Sequence, residues 1–224
     1  MEIIYEDNHI IVVNKKPGEI VQGDKTGDIP LSELLKKYLK EKYNKPGNVF
    51  CGVVHRIDRP VGGIVIFAKT SKALERLNKM LRDGDIHKTY LALVEGKLSK
   101  KEDTLKDYLK SDSRINKTFV SSASDPEAKE SILKYKVIGE GDNYSLLEVN
   151  LLTGRKHQIR AQLSNTGHPI KGDLKYGAKR SNPDGSISLL ARKISFVHPV
   201  SKELIELEAP LPPLFQKFLP GLSN

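Results

Sequence analysis

The stretch that most constrains this chain is residues 55–68, which read HRIDRPVGGIVIFA. Residues 64–68 form a short β-branched apolar run that is typical of a strand buried on both faces. Gly62 and Gly63, directly before this run, indicate a backbone that turns tightly or is closely approached. The pattern therefore predicts a stiff loop at the start of a core strand, and this loop presents one carboxylate, Asp58.

Asp58 has an arginine on either side, because Arg56 and Arg59 lie within two residues of it. Neighbouring cations favour the charged form of a carboxyl group. Two interpretations follow from these residues alone. Asp58 is either a chemically active carboxylate or one half of an arginine–aspartate pair that fixes a turn.

Four motifs in this chain resemble those of the RluA-type family of RNA pseudouridine synthases. Residues 55–59 (HRIDR) are similar to the family's catalytic motif, H-R-L-D-R-x-[TS]-S-G, which precedes an apolar strand. Residues 88–96 (KTYLALVEG), 152–160 (LTGRKHQIR) and 167–177 (GHPIKGDLKYG) resemble K-x-Y-x-A-x-V-x-G, T-G-R-x-H-Q-I-R and G-H-P-I-x-G-D-x-x-Y-G. Because all four occur in the expected order, with family-like flanks from residue 1 to about 210, the resemblance is specific.

Two positions depart from the family pattern. Ile57 stands where leucine is usual, a swap that roughly conserves side-chain volume. Val61 and Gly62 stand where a Thr/Ser-Ser pair is common, so a hydroxyl contact made there by relatives is absent from this chain.

The resemblance implies catalytic roles for Asp58, Tyr90 and Arg160. Asp58 would attack the ribose, attack the base or remove a sugar proton, and the sequence leaves these three open. Arg56 would fill the space left by a flipped-out uridine, or else clamp a phosphate or form a loop salt bridge. Tyr90 would stack on the flipped uracil, or else serve as half-buried strand packing.

Arg160 is expected to pair with Asp58, although Arg155 and Arg160 could exchange roles. Arg155, Lys156 and His157 lie at the N-terminus of a helix predicted over residues 156–165, and a helix N-terminus suits backbone phosphate. The predicted RNA-binding set is His55, Arg56, Arg59, Arg155, Lys156 and His157. Asp173 is expected to brace a loop and not to react.

Periodicity predicts the remaining elements. Two short strands are expected within residues 2–14, and later strands at residues 132–138, 145–152 and 191–197. Helices are expected from residue 30 and over residues 71–82, and the polar residues 97–131 are typical of surface loops or hairpins. The pattern indicates an α+β fold with a mixed, largely antiparallel sheet.

The family resemblance adds a central catalytic cleft and flanking helices to that fold. The whole chain, residues 1–224, is expected to be a single catalytic domain. Since its strands are predicted to begin at residue 2, the small S4-type RNA-binding module that many relatives carry before this domain is not expected here.

Composition favours a polyanionic partner, because the formal net charge is +9 and such a field concentrates nucleic acid. A single cysteine and no apolar run of membrane length predict a protein of the reducing cytoplasm with no membrane span. A monomer is expected. Six scattered histidines lack the spacing of metal ligands. A metal is therefore not expected. The reaction that the resemblance implies needs no cofactor, because uracil itself is the leaving group and the returning nucleophile. RNA is the predicted partner, ribosomal or transfer RNA.

Two other functions compete with the isomerase. A non-catalytic RNA-binding or RNA-folding protein could use the same scaffold, although the presence of Asp58, Arg56 and Tyr90 argues against it. A hydrolase or phosphotransferase with an aspartate nucleophile would require a phosphate-binding glycine loop or a Mg²⁺ carboxylate cluster, and the sequence has neither.

Overall fold

The computed structural model describes residues 1–219, which form two compact units. Unit 1 comprises Met1–His87 and Ala191–Pro210, and unit 2 comprises Lys88–Leu190 and the segment from Leu211. The single domain expected over residues 1–224 stays a prediction. No helix within residues 1–219 is long and apolar enough to cross a membrane.

Unit 1 is built on a sheet with two helices. Its strands are β1 (Glu2–Glu6), β2 (Ile10–Lys15), β3 (Gly52–Val53), β4 (Gly62–Ala68), β10 (Leu189–Val197) and β11 (Leu204–Glu208). The strand order is β1-β2-β4-β10, with β3 added at β4 and β11 at β10. Every residue of β4 is buried, which confirms the predicted strand with two buried faces.

The helices of unit 1 are α1 (Leu31–Lys42) and α2 (Ser71–Asp83). Both were predicted from their apolar stripes, and both are confirmed. Leu31, Leu35 and Leu39 of α1 enter one apolar cluster with residues of β2 and β4. In α2, the Thr70 side chain accepts a hydrogen bond from the Ala73 amide at the start, and Gly84 at φ +84° ends the helix.

Unit 2 is an antiparallel sheet in the order β5-β9-β8-β6-β7. These strands are β5 (His87–Glu95), β6 (Glu102–Asp112), β7 (Lys117–Ser121), β8 (Lys129–Glu140) and β9 (Tyr144–Leu151). The strands expected at residues 132–138 and 145–152 are confirmed, and the polar residues 97–131 include the β6–β7 hairpin. The helices are α3 (Gln158–Asn165), a 3₁₀ turn (Leu174–Tyr176) and α4 (Pro213–Gln216). The α+β fold class is confirmed.

α3 begins two residues later than predicted. His157, the residue before it, has φ +51° and lies in the left-handed region, which a right-handed helix cannot include. Arg155 and Lys156 therefore belong to the turn that precedes the helix.

Candidate active site

Asp58 lies on the loop between β3 and β4 in unit 1. The Val61 amide donates a hydrogen bond to the Asp58 carbonyl oxygen at 3.0 Å, which closes a turn around Arg59 and Pro60. The Gly18 amide donates to the Arg59 carbonyl oxygen at 2.8 Å. The backbone that carries Asp58 is thus fixed both within the loop and from the turn that follows β2.

Lys15, the last residue of β2, adds a third set of bonds to this loop. Its Nζ donates to the carbonyl oxygens of Val61 at 2.7 Å, Lys16 at 3.0 Å and Arg59 at 3.1 Å. The side chain is 1% exposed, and its burial lowers the pKa of Lys15 to about 8. Sequence analysis missed this residue, because a lysine ending an apolar strand ordinarily points to solvent.

Gly63 allows two strands of unit 1 to approach closely. Its φ is +114°, and a Cβ atom placed there would lie 2.3 Å from the Ala191 carbonyl oxygen in β10. At Gly62 a Cβ atom would meet Pro17 Cδ at 3.3 Å. The predicted close approach at this glycine pair is confirmed.

The other predicted residues of the loop face different surroundings. His55 Nε2 accepts a hydrogen bond from the Ile66 amide at 3.2 Å, so the ring lies against β4. Arg59 forms an ion pair with Asp28, and both side chains are half-exposed. Arg56 is exposed, and its Nη1 lies 3.5 Å from Gln22 Oε1. Of these hydrogen bonds, that of Arg56 is therefore the weakest, at 3.5 Å.

Tyr90 is a buried residue of β5 in unit 2, at 7% exposure. It lies opposite Val149 of β9. Lys88, two residues earlier, shares its face of the strand, and burial lowers the pKa of the Lys88 amine. Position 154 adjoins this lysine, since a Cβ atom on Gly154 would lie 3.7 Å from Lys88 Nζ.

Arg160 on α3 is held by Asp173 through two hydrogen bonds. Its guanidinium carbon also lies 4.8 Å from the centre of the Tyr176 ring. Asp173 thus connects its loop to α3, in line with the predicted bracing role. The pairing of Arg160 with Asp58 stays a prediction, as does its exchange with Arg155.

His157 and Tyr176 form a second buried contact beside this pair. The His157 Nδ1 atom lies 2.8 Å from the Tyr176 hydroxyl oxygen, which accepts a hydrogen bond from the Thr118 amide at 2.8 Å. Burial raises the pKa of Tyr176. Arg155 and Lys156, in contrast, are exposed, and Arg155 Nε donates to the Glu130 carbonyl oxygen at 3.2 Å.

The two units therefore present different chemistry. Unit 1 supplies one half-buried carboxylate on a tethered loop, and unit 2 supplies a buried arginine, a buried tyrosine and exposed cations. Within residues 1–219, histidine, cysteine and carboxylate side chains form no cluster that could hold a metal ion.

Residues 9–165 match the family model described as RNA pseudouridylate synthase. The chain belongs to this family. A ribosomal large subunit pseudouridine synthase C of Vibrio parahaemolyticus is 33% identical to it, over 99% of this chain and 69% of the relative. A synthase D of Zymomonas mobilis is 32% identical, over 95% of this chain and 69% of the relative. This protein is accordingly an RNA pseudouridine synthase, an isomerase.

A solved structure supports the fold. Human RNA pseudouridylate synthase domain containing 4 superposes with a TM-score of 0.80, covering 96% of this chain and 90% of the human chain at 21% identity. The family model and the two relatives confirm the family resemblance found from the four sequence motifs, and this structure confirms the fold.

Proposed function

We propose that this enzyme converts a uridine of large-subunit ribosomal RNA to pseudouridine, with Asp58 as the catalytic group. The relatives named as ribosomal large subunit synthases support the choice of RNA. A uridine of transfer RNA is the competing target.

The reaction moves one glycosidic bond. The bond between N1 of uracil and C1′ of ribose breaks, the base turns, and a bond forms between C5 and C1′. The proton on C5 passes to solvent and N1 gains one, so atoms and electrons balance without an oxidant. A carboxylate beside the sugar can attack or take a proton, and the uracil itself is both leaving group and returning nucleophile.

The attachment of the Asp58 loop is the observation that carries this proposal. A reacting group must be held close to its productive geometry. The carbonyl groups of residues 58, 59 and 61 all accept hydrogen bonds, so the backbone on the C-terminal side of Asp58 is fixed.

The remaining roles follow from exposure and chemistry. Flipping a base out of a stem costs a few kcal/mol, and the exposed Arg56 has the planar guanidinium that can replace it in the stack. Tyr90 would stack on the extruded uracil. Arg160 would orient the carboxylate of Asp58. The exposed Arg155 and Lys156 would bind backbone phosphate.

The test uses large-subunit ribosomal RNA carrying tritium at uridine C5, because only isomerisation releases that hydrogen to solvent. The wild type should release tritium, whereas Asp58→Asn should retain less than roughly a tenth of its turnover, since the amide can neither attack nor accept the proton. Asp83→Asn, a change on the exposed end of α2, is the control and should react like the wild type. Turnover by Asp58→Asn above that level contradicts the catalytic assignment.

Two further outcomes separate the alternatives. RNA binding by the wild type without tritium release would favour the non-catalytic RNA-binding protein. Release from transfer RNA but not from ribosomal RNA would keep the catalytic assignment and move the target.

A further inference from the structure

Lys15 is a fully buried cation bound to the loop that carries Asp58. An ammonium group taken out of water costs several kcal/mol unless its donors are used. Lysine has three N–H donors and no acceptor, and here all three reach backbone carbonyl oxygens within 3.1 Å. Two of these carbonyls belong to Arg59 and Val61, just after Asp58. The burial of this charge therefore has a specific structural use.

The charge state of Lys15 determines how many of these bonds can form. A protonated amine supplies one donor to each of the three carbonyls, whereas the neutral amine has two donors and a lone pair. One carbonyl would then face a lone pair. The charged groups that act on this ammonium are Glu19, from the turn after β2, and Asp58 and Arg59, from the loop.

We propose that Lys15 is a positioning residue for catalysis, which fixes the Asp58 loop in its reactive geometry only while its amine is protonated. This inference rests on the catalytic role proposed for Asp58. It predicts that turnover falls at alkaline pH because the Lys15 amine in unit 1 loses its proton. No titration of the RNA substrate is needed to explain that fall.

The position of this limit is set by burial. Burial lowers the pKa of Lys15 from its ordinary 10.5 to about 8. Turnover should fall as pH rises through that lower value. Between the two values the unfolded chain binds the extra proton, so this group's contribution to the unfolding free energy rises with pH. Activity and stability therefore respond in opposite directions, which a loss of folded protein cannot imitate.

The first experiment compares pH profiles of kcat and KM for the wild type and two variants. Lys15→Met keeps the buried volume but removes every donor, so kcat at neutral pH should fall on the order of ten- to a hundredfold with KM little changed. Lys15→Arg keeps the charge at all accessible pH values. Neither variant should show the fall in kcat that the wild type shows as pH rises through about 8. If Lys15→Met does not fold, Lys15→Arg alone decides the question.

The second measurement is amide hydrogen exchange at Gly18 and Val61, whose N–H groups donate to carbonyls of this loop. At one fixed pH, Lys15→Met should accelerate exchange at both amides. Lys69→Met is the matched control, because Lys69 is also buried in unit 1 but pairs with Glu6. Lys69→Met should leave the exchange rates of both amides, the value of kcat and the pH profile of kcat unchanged.

If kcat still falls at alkaline pH in both Lys15→Arg and Lys15→Met, the positioning role of Lys15 is overturned. The group whose titration causes that fall would then belong to the RNA. A wild-type kcat that stays flat above pH 8 would overturn it as well. In both cases an inactive Asp58→Asn would leave the proposed function intact. An active Asp58→Asn would instead overturn the proposed function, and this inference with it.

Discussion

Arg160 and Asp173 form a buried two-point ion pair. Arg160 Nε lies 2.7 Å from Asp173 Oδ2, and Nη2 lies 2.9 Å from Oδ1. The two side chains are only 6% and 1% exposed. Parallel bonds of this kind fix the plane of a guanidinium as well as its position. The direction in which the predicted catalytic arginine points is therefore set from the loop after α3.

Replacing one partner of this pair should destabilise unit 2 strongly. We expect Asp173→Asn to lower the free energy of unfolding by about 3–5 kcal/mol, because it leaves a buried guanidinium without its counter-charge. Urea denaturation measures this loss. Asp184→Asn, at an exposed carboxylate bonded to Ser186, is the control. Similar losses in both variants would show that the pair contributes no more than a surface contact.

Tyr90→Ala should slow turnover more than it weakens RNA binding, because stacking acts only on the extruded base. Loss of about 1–3 kcal/mol of stacking corresponds to a fall in kcat of roughly 5- to 160-fold. Tyr90→Phe should retain most of the rate. Tyr135→Ala on β8 removes an equally buried tyrosine and should cost stability without that loss of turnover. Parallel losses in rate and binding would place Tyr90 in general packing.

Gly63→Ala should be far more costly than an alanine at another left-handed glycine. Alanine at Gly84, where φ is +84° and nothing lies within 4 Å, should cost about 1–2 kcal/mol of backbone strain. At Gly63 the same strain is joined by the contact with the Ala191 carbonyl oxygen. Thermal unfolding of both variants compares the two costs, and equal values would mean that β4 and β10 can separate easily.

RNA binding should depend strongly on salt. If roughly four to six phosphates are neutralised on single-stranded segments, the log–log slope of affinity against salt is about −3 to −4. Arg155→Gln should reduce the magnitude of that slope by about 0.7. Lys79→Gln on α2, where the lysine pairs with Asp83, is the control and should not change it. Titrations by fluorescence anisotropy give both slopes, and a wild-type slope near −1 would make the net charge incidental.

Glu6 should make the stability of unit 1 sensitive to acid. Burial alone would raise the pKa of Glu6, but hydrogen bonds from Lys42, Lys69, Tyr43 and Tyr38 outweigh it and lower the value from 4.5 to about 2. Because the folded-state pKa is the lower one, the stabilisation is complete above pH 4.5 and is lost as pH falls toward 2. Glu6→Gln should flatten this part of the stability profile, as measured by urea denaturation at several pH values. An unchanged profile would assign the acid sensitivity to other carboxylates.

Local patterns in the sequence were sufficient for most of the fold. The apolar stripes of α1 and α2 and the continuous apolar run of β4 are patterns of residues that are close together in the chain. β11 was missed, although its residues alternate as LIELE, because the strand is short and largely exposed.

The hydrogen bonds from Lys15 to the loop that carries Asp58 could not be predicted from local patterns. The burial of Lys15 depends on carbonyl groups of residues 59 and 61, which are distant in sequence and become neighbours only when β2 pairs with β4. The late start of α3 has a similar cause. The left-handed backbone of His157 accompanies a ring contact with Tyr176 that periodicity does not encode.

The composition of unit 1 from two separate stretches of chain bears on its synthesis. Domains generally fold as units while the polypeptide leaves the ribosome, but Met1–His87 emerges long before Ala191–Pro210. The edge of β4 at Gly63 meets Ala191 in the folded protein. This edge has no partner until nearly all of unit 2 has been translated. During that interval the nascent N-terminal segment exposes an unpaired apolar strand edge, and such an edge favours association with other chains.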